Sequence, residues 1–372
     1  MNICISPDFR KNVALIFRRL PVVCAIVFAT QPSRADDSPQ AYKWSVSYII
    51  DNSQPVLGRS QKVFPRRNRG LAVSPDFRYL YAGYHHSFNH AGEVRRIDLS
   101  EPDSEKATKT VLPGPLGKAI ATDSEGRVYI ADSRGILVYD AALTRRQIEI
   151  PAEAPEGLAV TQEGREPVLY ATERGRDTLG RWVLKRDGKA VVDATLAGFD
   201  GTGYVQLSGA RGLRGVAIDR KGRILIADQE GGKVFRVDRD GKNIVTVDVQ
   251  SPVAIAIDGA RCLVTQGDKR QITILDEEMR VTGTLEVPWE ELELTPLGNN
   301  HQGAISGIAV VPGKGFYISN EGGQTANQKS TYGRSDDHTD FVNGKLYIDA
   351  FSDDNDPILH AVPVSAAPAA LK

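Results

Sequence analysis

Cysteine is almost missing from this chain: three in 372 residues. Two of them, Cys4 and Cys24, fall in a basic and apolar leader, which leaves Cys262 alone in the remainder. One thiol builds neither a disulfide framework nor a thiolate metal cluster. Cys262 sits in the apolar run CLV of a predicted strand, where it reads as a small buried hydrophobe. Long hydrophobic runs are also lacking. The run PVVCAIVFAT (21–30) is far short of the roughly 20 apolar residues needed to cross a bilayer as a helix. There is no excess of positive charge, with 46 Lys and Arg against 47 Asp and Glu, so nucleic acid is not an expected partner. Several chemical signatures are missing too: a GxSxG elbow, a phosphate loop ending in Gly-Lys-Ser/Thr, HExxH, and CxxCH.

What is present begins with the leader. Arg10, Lys11, Arg18 and Arg19 precede the apolar run, and Ser33-Arg34-Ala35 follows it with small residues at a cleavage spacing. The expectation is a signal peptide over 1–35, a folded domain over 36–366 and a frayed tail over 367–372, in a periplasmic or secreted protein. Residues 1–35 hold five Lys/Arg and one Asp, so the exported part carries 41 basic and 46 acidic residues, a formal charge of −5.

A repeated unit fills the rest. Six copies recur: RGLAVSPDFRYLYAGY (69–84), KAIATDSEGRVYIADSRG (118–135), EGLAVTQEGREPVLYATERG (156–175), RGVAIDRKGRILIADQEG (214–231), VAIAIDGARCLVTQGD (253–268) and SGIAVVPGKGFYISNEGG (306–323). Each opens with a small residue and an apolar strand, turns on a polar segment such as DSEGR, and re-enters a strand rich in Tyr, Ile, Leu and Val. Third strands are expected at EVRRIDL, GILVYD, GKVFRVD, RQITILD and GKLYIDA, and fourth strands at TKTVL, RQIEI, VVDATL, IVTVDV and TGTLEV. Six units of four antiparallel strands make an all-β, six-bladed β-propeller. The strand WSVSYIID (44–51) or ILHAVPV (358–364) completes the sixth blade, and the N-terminal one is favoured because it fastens the ring end to end.

In this topology the loop into each first strand and the loop between the second and third strands open on one face. The unusual segments fall there, among them GYHHSFNHAG (83–92) and SNEGGQTANQKSTYGRSDDHTDFVNG (319–344). The residues just before the small positions look up the central channel: Arg69, Lys118, Glu156, Arg214, Val253 and Ser306. Three cations against one carboxylate suit an anion, so Arg69, Lys118, Glu156, Arg214 and Ser306, with Glu321, are the candidate ligand-binding set. Five of the six histidines, His85, His86, His90, His301 and His338, also belong to this face. With Glu321, Asp336, Asp337 and Asp340 nearby they are candidate ligands for a divalent metal, zinc or calcium, or candidate acids and bases. His85, His301 and Arg69 form the candidate catalytic set. Asp132, Glu173, Asp228, Gln266 and Glu321 close the second strands, where side-chain acceptors serve the adjoining turns. SDDNDP (352–357) lacks the glycine and distal Glu of a calcium loop and reads as a solvated turn.

VYIADSRG and ILIADQEGGKVFRVDRDG resemble NHL repeats. RGLAVSPDFRYLYAGY is similar to a repeat of the superfamily of gluconolactonase, senescence marker protein and strictosidine synthase. The likeness runs from about residue 44 to 365 and implies the propeller fold, while such propellers include lactonases, lyases, phosphotriesterases and binding platforms. Gluconolactonase-like enzymes hold a metal with carboxylates and amides placed before the first-strand small residues, where only Glu156 matches here. Amidating lyases hold zinc through histidines and use an arginine, roles that His85, His301 and Arg69 would fill. Two functions follow: binding of a small anionic molecule or a peptide by a monomer, or metal-assisted hydrolysis or elimination at the histidine loops.

Overall fold

The computed structural model describes residues 41–48, 67–85, 92–101, 104–133, 135–267, 269–288, 294–296, 304–321, 323–325, 339–342, 345–348 and 358–364. All lie in one compact unit, Gln40–Lys372. The leader and the tail lie outside the described residues.

Six sheets of antiparallel strands follow one another round a ring. The first strands are Arg67–Val73, Ile120–Thr122, Pro155–Glu163, Leu213–Ile218, Pro252–Asp258 and Ala304–Val311. Each pairs with the strand that follows it, Tyr79–His85 in blade one and Val128–Ala131 in blade two, then outward to a third and a fourth strand. Blade three carries an extra short strand, Tyr204–Gln206, on the near end of Thr178–Asp187.

The alternation of side chains along the second strands holds the ring together. In blade one Leu80 and Ala82 pack toward blade six with Ala309 and Tyr317, while Tyr81 between them packs toward blade two with Ile120 and Val128. The same device recurs between every pair of neighbours. Tyr129 joins Leu158 and Trp182 of blade three, Tyr170 joins Val216 and Phe235 of blade four, and Leu225 joins Ile255 and Cys262 of blade five. Leu263 then joins Ile308 and Phe316 of blade six. A strand buried on both faces needs apolar residues at every position, which is why YLYA, VYIA, VLYA and ILIA carry no polar alternation.

Small residues at the start of the first strands answer to crowding at the axis. A Cβ on Gly157 would stand 2.1 Å from the carbonyl oxygen of Arg214, and one on Gly307 the same distance from that of Arg69. The second contact joins blade six to blade one, as does the hydrogen bond from Ser319 Oγ to the Arg69 carbonyl, 3.4 Å. The circle is closed.

Blade six differs from the expectation. Its third strand is Ile358–Pro363 and its outermost strand is Tyr42–Tyr48, so an early and a late segment of the sequence both enter the sheet. Lys345–Ile348, expected as the third strand from GKLYIDA, instead pairs with Thr339–Val342 in a separate hairpin. Tyr42 and Trp44 set their rings edge-on against Phe316, at centroid distances of 5.1 and 5.7 Å, and this seats the N-terminal strand on the blade's inner core.

Candidate functional site

The six pre-glycine or pre-alanine residues line one central cavity of about 70 Å³: Arg69, Lys118, Glu156, Arg214, Val253 and Ser306, each from a different blade. They meet there because each precedes the first residue of its strand that is pressed against a neighbouring backbone.

Glu156, from blade three, is nearly buried and is the hub. Lys118 Nζ reaches its Oε1 at 2.9 Å from blade two, and Arg214 Nη1 reaches its Oε2 at 2.6 Å from blade four. Arg69 Nη1 lies 3.6 Å from the same Oε2, coming from blade one. Burial pushes the Glu156 carboxyl up, but Arg214, Lys118 and Arg69 outweigh it and hold the group below the usual carboxylate range. Glu156 is therefore ionised at neutral pH and has no proton to give. Burial also pulls the Arg214 guanidinium down from its ordinary value; Glu156 opposes this, while Arg69 and Arg174 add to it. Arg214 still carries its charge, and its Nε donates to Gln229 Oε1 at 2.8 Å, which fixes the plane of the guanidinium.

Gln229 and Arg174 are not among the sequence-derived candidates. Gln229 follows the acid that ends its second strand by one residue, and nothing in the repeat marks that position as special. Arg174 pairs with Glu230 across the boundary of blades three and four, on the rim outside the collar.

The acceptors that end the second strands serve the turns, as expected for the described ones. Asp132 Oδ1 accepts from the Leu116 amide at 3.0 Å, and Glu173 Oε1 from the Glu153 amide at 2.8 Å. Asp228 Oδ1 accepts three amides, those of Arg211, Gly212 and Gly231. Each carboxylate thus ties down the loop that leads into its own blade's first strand, and so holds the collar residue beyond that loop. Gln266 instead donates to Thr273 Oγ1 at 3.0 Å, within the blade. Burial raises the Glu173 carboxyl above its ordinary value.

His85 ends the second strand of blade one, with its backbone opposite Arg67 and Gly92. Its side chain, His86, His90, His301, His338, the side chain of Glu321 and residues 352–357 lie outside the described residues. Among the described residues no group of three or more His, Cys, Asp or Glu is arranged to hold a metal ion. At Glu156, the position that matches the gluconolactonase pattern, three cations occupy the carboxylate and would repel a divalent ion. Cys262 is buried between blades four and five, and burial raises its thiol well above the ordinary value.

No family model matches the chain. Among curated proteins, Antigen Lp49 of Leptospira interrogans serogroup Icterohaemorrhagiae serovar copenhageni (strain Fiocruz L1-130) is 28% identical over 160 residues, 39% of this chain and 35% of that protein. The match therefore spans about a third of that relative's length. Among solved structures, a catalytically inactive variant of virginiamycin B lyase from Staphylococcus aureus, solved with quinupristin, aligns with a TM-score of 0.50 at 12% identity, covering 87% of this chain and all of that one. A nidogen/laminin complex aligns with a TM-score of 0.46 at 15% identity, covering 60% of this chain and 81% of that one. At these identities the likeness to the lyase is one of fold.

Proposed function

We propose that this chain is an exported six-bladed propeller that binds a small anionic ligand at the mouth of its central channel. One observation carries the reading: Lys118, Arg214 and Arg69, from three different blades, converge on a single carboxylate in a cavity open to ligand. Among the described residues these three cations share the one carboxylate of Glu156. Partly desolvated cations at a concave site bind carboxylates and phosphates more strongly than the same groups in open water. The leader at 1–35 supports the export. The test is calorimetric titration with a panel of small carboxylates and phosphates. Arg69→Ala should weaken whichever ligand binds by roughly 1.5–3 kcal/mol, the size of a charged hydrogen bond. An unchanged affinity sinks the reading.

A second reading, a metal-assisted hydrolase or lyase, is favoured by the position of His85. Its backbone lies opposite Arg67, which precedes Arg69 by two residues in the sequence. Elemental analysis separates the two: the binding reading expects less than one equivalent of zinc or calcium. A full equivalent that vanishes in His85→Ala or His301→Ala would reverse the order.

A further inference from the structure

The cavity behind the collar changes character with depth. Each blade lines it with three consecutive residues of its first strand: RGL, KAI, EGL, RGV, VAI and SGI. The first of each triplet is the collar position, the second is glycine or alanine, and the third is Leu71, Ile120, Leu158, Val216, Ile255 or Ile308. Side chains two apart on a strand share a face, so the third residue stands on the same side as the collar residue, about 7 Å further along the strand.

These six aliphatic side chains form a second ring under the charged one. Each packs into a core between neighbouring blades, yet each keeps 6–7% of its surface exposed and lines the cavity. Among the described residues every charged group on the cavity wall belongs to the collar. Beyond it the wall is glycine, alanine and aliphatic side chains. On blade five Val253, partly exposed, carries the apolar wall up to the collar itself. Aliphatic side chains offer water no hydrogen bond, so an apolar group that displaces water from this ring does so favourably.

Resting on the anion-binding reading, we infer that the site takes an amphiphilic anion, a small carboxylic acid with an apolar tail. The carboxylate stays at the collar among Lys118, Arg214 and Arg69, and the tail points down the axis into the aliphatic ring. Charge at one end of the cavity and apolar wall at the other fix the direction in which such a ligand enters.

The experiment is calorimetric titration of the full chain at neutral pH with acetate, butyrate, hexanoate, inorganic phosphate and the uncharged hexanol. Affinity for the acids should rise about three- to fourfold with each added methylene, the gain from burying one. Hexanol should bind at least tenfold more weakly than hexanoate. Lys118→Met should weaken the three acids alike and leave the gain per methylene as it was. Val216→Thr and Val253→Thr put a hydroxyl into the apolar wall, and each should cut the gain from acetate to hexanoate at least threefold. Val253 is the less buried of the two, so its variant keeps the test alive if Val216→Thr fails to fold. Equal affinity for acetate and hexanoate, or binding of phosphate alone, overturns the apolar tail and leaves anion binding standing. A gain per methylene that survives both valine variants overturns the placement of the tail in the channel. Hexanol as tight as hexanoate overturns the anionic head. Silence from every anion removes both this inference and the reading beneath it.

Discussion

At the scale of single residues, the axis is where this chain tolerates least. Gly215 has room for no side chain: a Cβ there would lie 2.7 Å from the Val253 carbonyl oxygen and 2.8 Å from the Ala254 Cα, both backbone and neither able to yield locally. Gly215→Val should therefore destabilise the fold by about 1–3 kcal/mol, the usual range for overpacking. A denaturation midpoint equal to that of the unaltered chain would contradict the crowding. The recurrence of Gly or Ala at this position announces that crowding in the sequence itself, and with it the channel-facing role of the residue before. Gln229 could not be read the same way. Its task is to accept from Arg214 of its own blade, across the two inner strands, and that depends on side-chain reach that the repeat pattern does not encode.

At the scale of the element, blade six shows where sequence pattern stops being informative. GKLYIDA alternates like any third strand, and alternation says that a segment can join a sheet without saying which sheet. ILHAVPV takes the place because it lies against Phe316, Ile318 and Ser319 in register, with the N-terminal strand added outside it. His360 sits in the middle of that third strand, between Ser45 and Tyr317, with its ring stacked on Tyr317 at 4.2 Å and its Nε2 buried without a partner. Burial holds the imidazole pKa below its ordinary value, against a hydrogen bond that the ring donates to the Lys314 backbone, which pushes the other way. Such a group is neutral in the fold and takes up a proton more readily when unfolded. Its contribution is thus complete above the ordinary histidine range, near 6.5, and is lost as pH falls below it toward the depressed value. Melting temperature should drop between about pH 7 and pH 5, and His360→Phe, which keeps the stack on Tyr317, should flatten that slope. A slope untouched by the substitution would place the acid sensitivity elsewhere.

For the molecule as a whole, six similar units and their common face were legible because the repeat survives changes of loop length. The collar residues followed from the same alignment, since the position before a crowded glycine must look into the channel. The convergence of Lys118, Arg214 and Arg69 on Glu156 was only partly foreseeable: the pairing of Glu156 with Arg214 follows from adjacent blades, whereas the reach of Arg69 from blade one depends on how narrow the channel is. The repeat says nothing of chemistry, because buried apolar strands and Asx-type turns recur in propellers of every activity.

The sixth blade joins two strands that lie far apart in the sequence, Tyr42–Tyr48 and Ile358–Pro363. Tyr42–Tyr48 hydrogen-bonds to Ile358–Pro363, not directly to the rest of the blade, so a growing polypeptide must carry Tyr42–Tyr48 unmatched through the synthesis of some three hundred residues. Prematurely terminated products lack the piece on which that strand docks, and present instead an open sheet edge of the kind that quality-control proteases and chaperones recognise. Completion of the sixth sheet thus waits on its late-made strand, a dependence written into the order of its strands.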